Sequence, residues 1–198
     1  MGLDFAMSAQ SGSDYTVVTV LEKAPGSNKL KIVWIDRWKG LDYVQQKNRI
    51  IELADHFQII KALGDEGSFG KTFIYDLKAA GVPLEGYKFT YQSRSKEEII
   101  KALRDQFEKK GFIIPYNRND QKTYMTVRAL VDELTKFGIV FDHKKGIVKF
   151  EGTGKHDDMV ISLALANFIA RHVSLACFRV LKGSDRGRVP NPFGVAKT

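Results

Sequence analysis

Carboxylates stand at three widely separated places in this 198-residue chain: Asp4 in Gly2-Leu3-Asp4-Phe5, Asp65 in Leu63-Gly64-Asp65-Glu66-Gly67, and the pair Asp157-Asp158 after His156. Each lies where an apolar segment meets a polar one, which is where a fold can hold a carboxylate rigidly at the edge of its core. If the three places converge, the cluster of unpaired negative charge is costly unless a divalent cation that prefers hard oxygen ligands, such as Mg²⁺ or Mn²⁺, shares it. Spacing alone leaves convergence open. It establishes only that each acid sits at a strand end or a helix start.

The elements between them are legible from hydrophobic periodicity. Tyr15 to Leu21 is rich in β-branched residues and follows the turn-like Ser11-Gly12-Ser13-Asp14, so it reads as a strand. Leu30 to Arg37 reads as a second, giving a hairpin with the Asp4 strand beside it. From Tyr43 to about His56, Val44, Ile50, Ile51, Ala54 and Phe57 share one helical face. Phe57 to Gly64 reads as a short buried strand with Asp65 at its C-terminal end. Ser68 is placed to cap a helix running to about Ala80, which Gly81 and Pro83 end. A strand is expected over 86–91. Ser95-Lys96-Glu97-Glu98 has the pattern of a capping box, ahead of a helix whose buried stripe is Ile99, Ile100, Leu103 and Phe107. Phe112 to Pro115 reads as a strand, and Val127, Leu130, Val131, Leu134 and Phe137 mark another helix. A hairpin of Ile139 to Phe141 and Ile147 to Phe150 precedes a last helix from about His156 to His172. Consecutive strands followed by alternating helices and strands predict an α/β fold, a mixed β-sheet flanked by helices.

The length suits one substantial core, read as a domain over residues 1–181 with a basic flexible tail over 182–198, rich in glycine, proline, lysine and arginine. The formal net charge of +8 points to a polyanionic partner, with DNA or RNA the leading class. A single cysteine, Cys177, excludes an internal disulfide and favours a reducing compartment. No apolar stretch approaches the roughly 20 residues of a membrane span, and the N-terminus lacks a signal-peptide layout. A soluble, intracellular protein is expected. With only Met1, Gly2 and Leu3 ahead of Asp4, the chain reads as a domain excised from a longer one.

Gly2-Leu3-Asp4, then Gly12-Ser13-Asp14-Tyr15 with a β-branched strand, then Asp65 with a glycine-rich continuation, then Gly154-Lys155-His156-Asp157-Asp158-Met159-Val160 before Leu163-Ala164-Leu165-Ala166 together resemble the C-terminal nuclease domain of tailed-bacteriophage terminase large subunits. The resemblance covers about residues 2 to 172. Its most specific piece is the His-Asp-Asp that opens a helix of small residues. It implies a ribonuclease H-like fold and sequence-tolerant cutting of double-stranded DNA during viral DNA packaging. The implied cofactors are two divalent metal ions, Mg²⁺ or Mn²⁺, roughly 3.5–4 Å apart. Carried over by position, Asp4 is the ligand shared between them and Asp65 completes one site. Asp157 and Asp158 lie at the start of the last helix, where the helix dipole favours carboxylates. Successive helical side chains diverge by about 100°, so these two either face different metals or one of them caps the helix. His156 and Glu66 are possible supporting groups. Lys144 and Lys145 at a hairpin tip, with Arg118 and Lys122 in a loop, are the candidate phosphate contacts. The resemblance also implies a portal protein, a terminase small subunit and an ATPase motor domain as partners, action in the host cytoplasm, and a monomeric isolated domain.

Other readings compete. Gly64 to Thr72 imitates a nucleotide-binding P-loop, but Gly-x-x-x-x-Gly-Lys-Thr requires glycine at 65, where the chain has Asp. A resolvase-like or transposase-like nuclease of the same fold would prefer branched DNA. A non-catalytic DNA-binding module would keep the basic surface and use the acids structurally. Asp36, Asp42, Asp76 and Asp142 are expected in turns, caps or on the surface, and Trp34 and Trp38 against the core. His56, His143 and His172 lack zinc-ligand spacing.

Overall fold

The computed structural model describes residues 1–6, 15–24, 26–67, 70–90, 95–142, 147–152 and 156–173, with the backbone alone for 139–142 and 147–152. Along the chain run β1 (Gly2–Asp4), β2 (Thr16–Lys23), β3 (Leu30–Trp38), α1 (Tyr43–His56), β4 (Ala62–Asp65), α2 (Gly70–Ala79), β5 (Leu84–Tyr87), α3 (Ser95–Glu108), β6 (Phe112–Ile113), α4 (Gln121–Lys136), β7 (Phe137–Asp142), β8 (Ile147–Gly152) and α5 (Asp158–Arg171). Six strands form one mixed sheet in the order β5-β4-β1-β2-β3-β6, and β7 and β8 pair separately. The expected α/β fold, a mixed sheet flanked by helices, is the fold observed.

Period-two alternation assigns each strand side chain to a face, except across the register shift between β2 and β3 at Val20 and Leu21, which puts Ile32 and Ile35 on the same face. Leu3, Val18 and Val20 point to one core, which α1 and α2 close with Ile50, Leu53, Phe73 and Leu77. Val17, Ile32, Ile35 and Leu63 point to the other, closed by α3, α4 and α5 through Ile99, Leu103, Leu130 and Leu163. Gly2 and Asp4 alternate with Leu3, and Asp65 lies two residues beyond Leu63. Both acids therefore lie on the α5 face. β1 and β4 run parallel with Gly2 opposite Leu63 and Leu3 opposite Gly64; continued by one step, that register brings Asp4 level with Asp65.

The central helix α5 is apolar nearly all round, as a helix covered on several sides must be. It lies against β1, β2 and β4 on one side and against α3 and α4 on the other. Its approach to β1 is very close: a Cβ on Gly2 would meet the carbonyl oxygen of Ser162 at 2.2 Å and the amide nitrogen of Ala166 at 2.4 Å. The Ser162 hydroxyl bonds Gly2 O at 3.0 Å and Thr19 Oγ1 at 2.9 Å, so the polar groups at this contact are paired.

Several local expectations are corrected. Val44 and Val131 are exposed, and Ile60 is exposed ahead of a β4 that starts only at Ala62. In α1 the buried place goes instead to Gln46, which donates to Leu41 O at 3.0 Å and accepts from the Thr16 hydroxyl at 2.7 Å. The strand expected over 86–91 is Leu84–Tyr87. Phe137 opens β7 rather than closing α4. No capping box forms at Ser95: its hydroxyl serves Thr90 N at 2.8 Å and Lys88 O at 3.0 Å, while Glu98 accepts from the Tyr87 hydroxyl at 3.3 Å. Asp42 does cap α1, in a true capping box with Gln45. Asp36, expected in a turn or at the surface, is buried and takes the Arg49 Nε–H at 2.9 Å. Among the described residues no helix is long and apolar enough to cross a membrane. Ser68, Cys177 and the tail over 182–198 lie outside the described residues.

Because backbone rather than a flexible side chain fills the space beside Gly2, Gly2→Ala is expected to lower unfolding stability by about 3 kcal/mol or more. Urea denaturation of the two proteins measures this difference.

Candidate active site

One edge of the sheet gathers the acids that the sequence singles out. Asp4 ends β1, Asp65 ends the parallel neighbour β4, Asp157 is the N-cap of α5 and Asp158 its first residue. Asp4 is half-buried. Its carboxyl is held well above the usual value of 3.8, first by loss of solvent and then by the negative charges of Asp158, Asp65 and Asp157; Lys96 opposes them. Carboxylates from three distant parts of the chain thus act on one another at a single place. Asp65 is also raised by desolvation, against the Gly67 amide, which donates to its Oδ1 at 2.9 Å, and against Lys96.

Glycines make room around Asp65. A Cβ on Gly70, the first residue of α2, would stand 2.0 Å from the Asp65 carbonyl oxygen, and one on Gly67 would stand 3.2 Å from its Oδ2. The glycine-rich segment thus lets α2 begin directly against the end of β4. Glu66 follows a different course: it packs across β5, where a Cβ on Gly86 would lie 3.1 Å from its carboxyl carbon.

Asp158 is buried, and its Oδ2 accepts the Tyr15 backbone N–H at 3.1 Å, with His156 Nδ1 at 3.6 Å. His156, a possible supporting group, is half-buried and packs edge-on against the Tyr15 ring at 5.1 Å. Arg37 and Lys39 lie over that same ring, at 4.7 Å and 4.0 Å from its centre. Asp157 makes no side-chain cap to α5; its Oδ2 faces Lys96 Nζ at 3.5 Å.

The helix start is capped from elsewhere. Glu133, buried on α4, accepts the Met159 N–H at 2.8 Å and stands 3.7 Å from Arg37. Its carboxyl is raised by desolvation, with the Met159 amide opposing and Asp158 adding to the rise. Sequence reasoning missed Glu133. Its signal is a carboxylate in step with the buried positions Thr123, Val127 and Leu130 of α4. Lys96 was missed as well, hidden in what reads as an exposed capping box.

The acids offer the hard oxygen donors that Mg²⁺ or Mn²⁺ require, and the charge repulsion on Asp4 is what such a cation would relieve. Among the described residues no three His, Cys, Asp or Glu side chains are already drawn into a metal-holding group. Of the candidate phosphate contacts, Arg118 lies in the turn before α4, its Nε 3.3 Å from the Tyr116 hydroxyl. Lys122 belongs to the first turn of α4 rather than to a loop, and its Nζ sits 5.5 Å over the Trp34 ring. Lys144 and Lys145 lie outside the described residues.

The family model for the terminase RNase H-like domain matches residues 1–168. The chain belongs to that family. Among solved structures it is similar to the large terminase nuclease from thermophilic phage G20c with bound magnesium, at 25% identity and a TM-score of 0.67, over 84% of this chain and 78% of that one. The same phage nuclease with bound cobalt aligns at 25% identity and a TM-score of 0.62 over the same shares. A further structure of it aligns at 25% identity and 0.63, over 83% of this chain and 78% of that one. No curated protein sequence matches the chain. The mixed sheet and its flanking helices are those of an RNase H-like terminase nuclease fold.

A carboxyl whose folded-state pKa is raised binds its proton more tightly in the folded than in the unfolded chain. Stability therefore falls as pH rises from about the ordinary value of 3.8 through the raised value of Asp4. Asp4→Asn removes this loss. In EDTA the variant is expected to melt above the unsubstituted protein at pH 7, with the gap closing toward pH 4 in thermal scans across that range.

Proposed function

We propose that the domain is a metal-dependent endodeoxyribonuclease that cuts double-stranded DNA with little sequence specificity while viral DNA is packaged. The observation that carries this reading is the gathering of Asp4, Asp65, Asp157 and Asp158 from separate segments at one sheet edge, where loss of solvent first, and then the charges of Asp158, Asp65 and Asp157, push the Asp4 carboxyl up. A purely structural acid cluster with such mutual repulsion would be destabilising; a site that loads cations gains from it. The phage relatives solved with magnesium and with cobalt support divalent-cation use.

In this reading Asp4 is shared between two cation sites, Asp65 completes one, and Asp158, with Asp157, completes the other. Two divalent cations, when bound, supply activation of the attacking water and stabilisation of the leaving 3′ oxygen. The chain's own groups do the rest. The Gly67 amide holds the Asp65 carboxylate and the Tyr15 amide that of Asp158, with His156 Nδ1 beside it at 3.6 Å. Lys96 keeps Asp157 partly neutralised. Arg118 and Lys122, with Lys144 and Lys145, meet phosphates, which positions DNA without reading bases. The domain spans residues 1–181, and its basic tail, portal and small-subunit partners, motor domain and action in the host cytoplasm follow the packaging role.

Supercoiled and linear plasmid are expected to be cut with Mn²⁺ or Mg²⁺ and to survive in EDTA. Asp65→Ala and Asp158→Ala should lower the cleavage rate at least about 100-fold, the scale of losing several kcal/mol of charge stabilisation, while filter-binding to DNA persists. Intact plasmid with both metals, from a folded protein that binds DNA, would rule this reading out. In the same binding assay, Lys122→Ala should weaken affinity for unrelated duplexes alike and lower the slope of log K against log salt by about one.

A further inference from the structure

Helix α5 presents an N-terminus whose amides need acceptors, since the first turn of any helix leaves its N–H groups without partners inside the helix. The residue placed to cap it locally, Asp157, makes no side-chain cap bond. The acceptor comes from α4: Glu133 Oε2 takes the Met159 N–H at 2.8 Å. Glu133 is buried and is itself steadied by Arg37, 3.7 Å away on β3. Arg37 also lies over the Tyr15 ring, and the Tyr15 amide holds Asp158 Oδ2 at 3.1 Å. Arg37, Glu133, the α5 amide, Asp158 and Tyr15 thus form one closed circuit of contacts.

We propose that Glu133 is a positioning residue for the catalytic carboxylates: by capping α5 from a neighbouring helix it releases Asp157 from capping and fixes the backbone of Asp157 and Asp158 so that both can bind cations. Ser, Thr, Asn and Asp are the preferred N-caps because their own side chains take these amides. An Asp at that position that capped its own helix would turn its carboxylate back onto the backbone and away from the sheet edge. The cap supplied by Glu133 separates the two tasks. This inference rests on the reading of Asp157 and Asp158 as cation ligands.

The variants that test it are Glu133→Ala, which removes the acceptor, and Glu133→Gln, which keeps an acceptor oxygen at the same reach without the charge. Mn²⁺ binding is followed by electron paramagnetic resonance titration without DNA, beside single-turnover plasmid cleavage. Loss of groups that orient metal ligands typically weakens metal binding by 10- to 100-fold. Glu133→Ala is expected to weaken Mn²⁺ binding at least about 10-fold, and Glu133→Gln to restore it to within about threefold of the unsubstituted protein. The cleavage rate at saturating DNA should follow the same order, with DNA affinity unchanged. Unaltered Mn²⁺ affinity in Glu133→Ala overturns the proposal. So does equal weakening in Gln and Ala, which would show that Glu133 acts through its charge. If Glu133→Ala does not fold, Glu133→Asp replaces it, keeping the charge but pulling the acceptor back; native-like Mn²⁺ affinity in that variant also overturns the proposal. No Mn²⁺ binding by the unsubstituted protein would sink the ligand reading itself, and this inference with it.

Discussion

The approach of α5 to β1 is the contact on which the rest depends. Gly2 has no side chain, and Ser162 and Ala166 have small ones, so the helix backbone lies directly on the strand. That contact fixes where the helix begins relative to where the strand ends: Gly2 sits two residues before Asp4, and Ser162 one helical turn after Asp158. A larger residue at position 2 would lift the helix away, and the carboxylates would separate even if each stayed on its own element. The apolar, all-round burial of α5 follows from the same placement, because a helix seated at the middle of a sheet is then covered by α3 and α4.

Bringing the acids together carries an electrostatic cost, and the structure limits it in several ways. Lys96 faces Asp157 and lowers the repulsion felt by Asp4 and Asp65. Backbone amides of Gly67 and Tyr15 serve Asp65 and Asp158. None of these removes the desolvation and like-charge repulsion on Asp4, whose carboxyl remains well above its ordinary range. Strongly perturbed carboxyls concentrated at one sheet edge are what functional sites show more often than structural ion pairs do. The stabilising groups are arranged around the cluster, and the Asp4 carboxyl at its centre stays raised.

Much of this arrangement was legible in the sequence, because it rests on local signals. The β-branched run of β2, the apolar periodicity of α1 and the small, apolar α5 each specify their own element, and the ends of β1, β4 and α5 mark Asp4, Asp65 and Asp158. What escaped detection depends on contacts distant in sequence. Ser95 and Glu98 have capping-box spacing, yet Thr90, Lys88 and Tyr87 take their side chains. Val131 fits the helical period of α4, but the face it occupies meets solvent, and Glu133 takes a buried place because α5 offers it an amide. Asp36 looks like a turn residue until Arg49 reaches it from α1. In each case the pairing partner, not the local pattern, decides burial.

The parallel pairing of β1 with β4 explains why strand ends, rather than loops, hold two of the acids. Neighbouring strands in a sheet lie about 4.8 Å apart, and the register that sets Leu3 opposite Gly64 puts Asp4 and Asp65 abreast on the α5 face. That spacing is fixed by backbone hydrogen bonds, so it does not depend on how either side chain is solvated. The third component needs a different device, since a helix start has no ladder to register it. Packing against Gly2 sets its height and Glu133 satisfies an amide at its tip, one constraint from the sheet and one from a neighbouring helix. Strand register and helix seating thus set where the carboxylates stand, and the amides of Gly67 and Tyr15, just outside β4 and β2, set how the side chains of Asp65 and Asp158 are held.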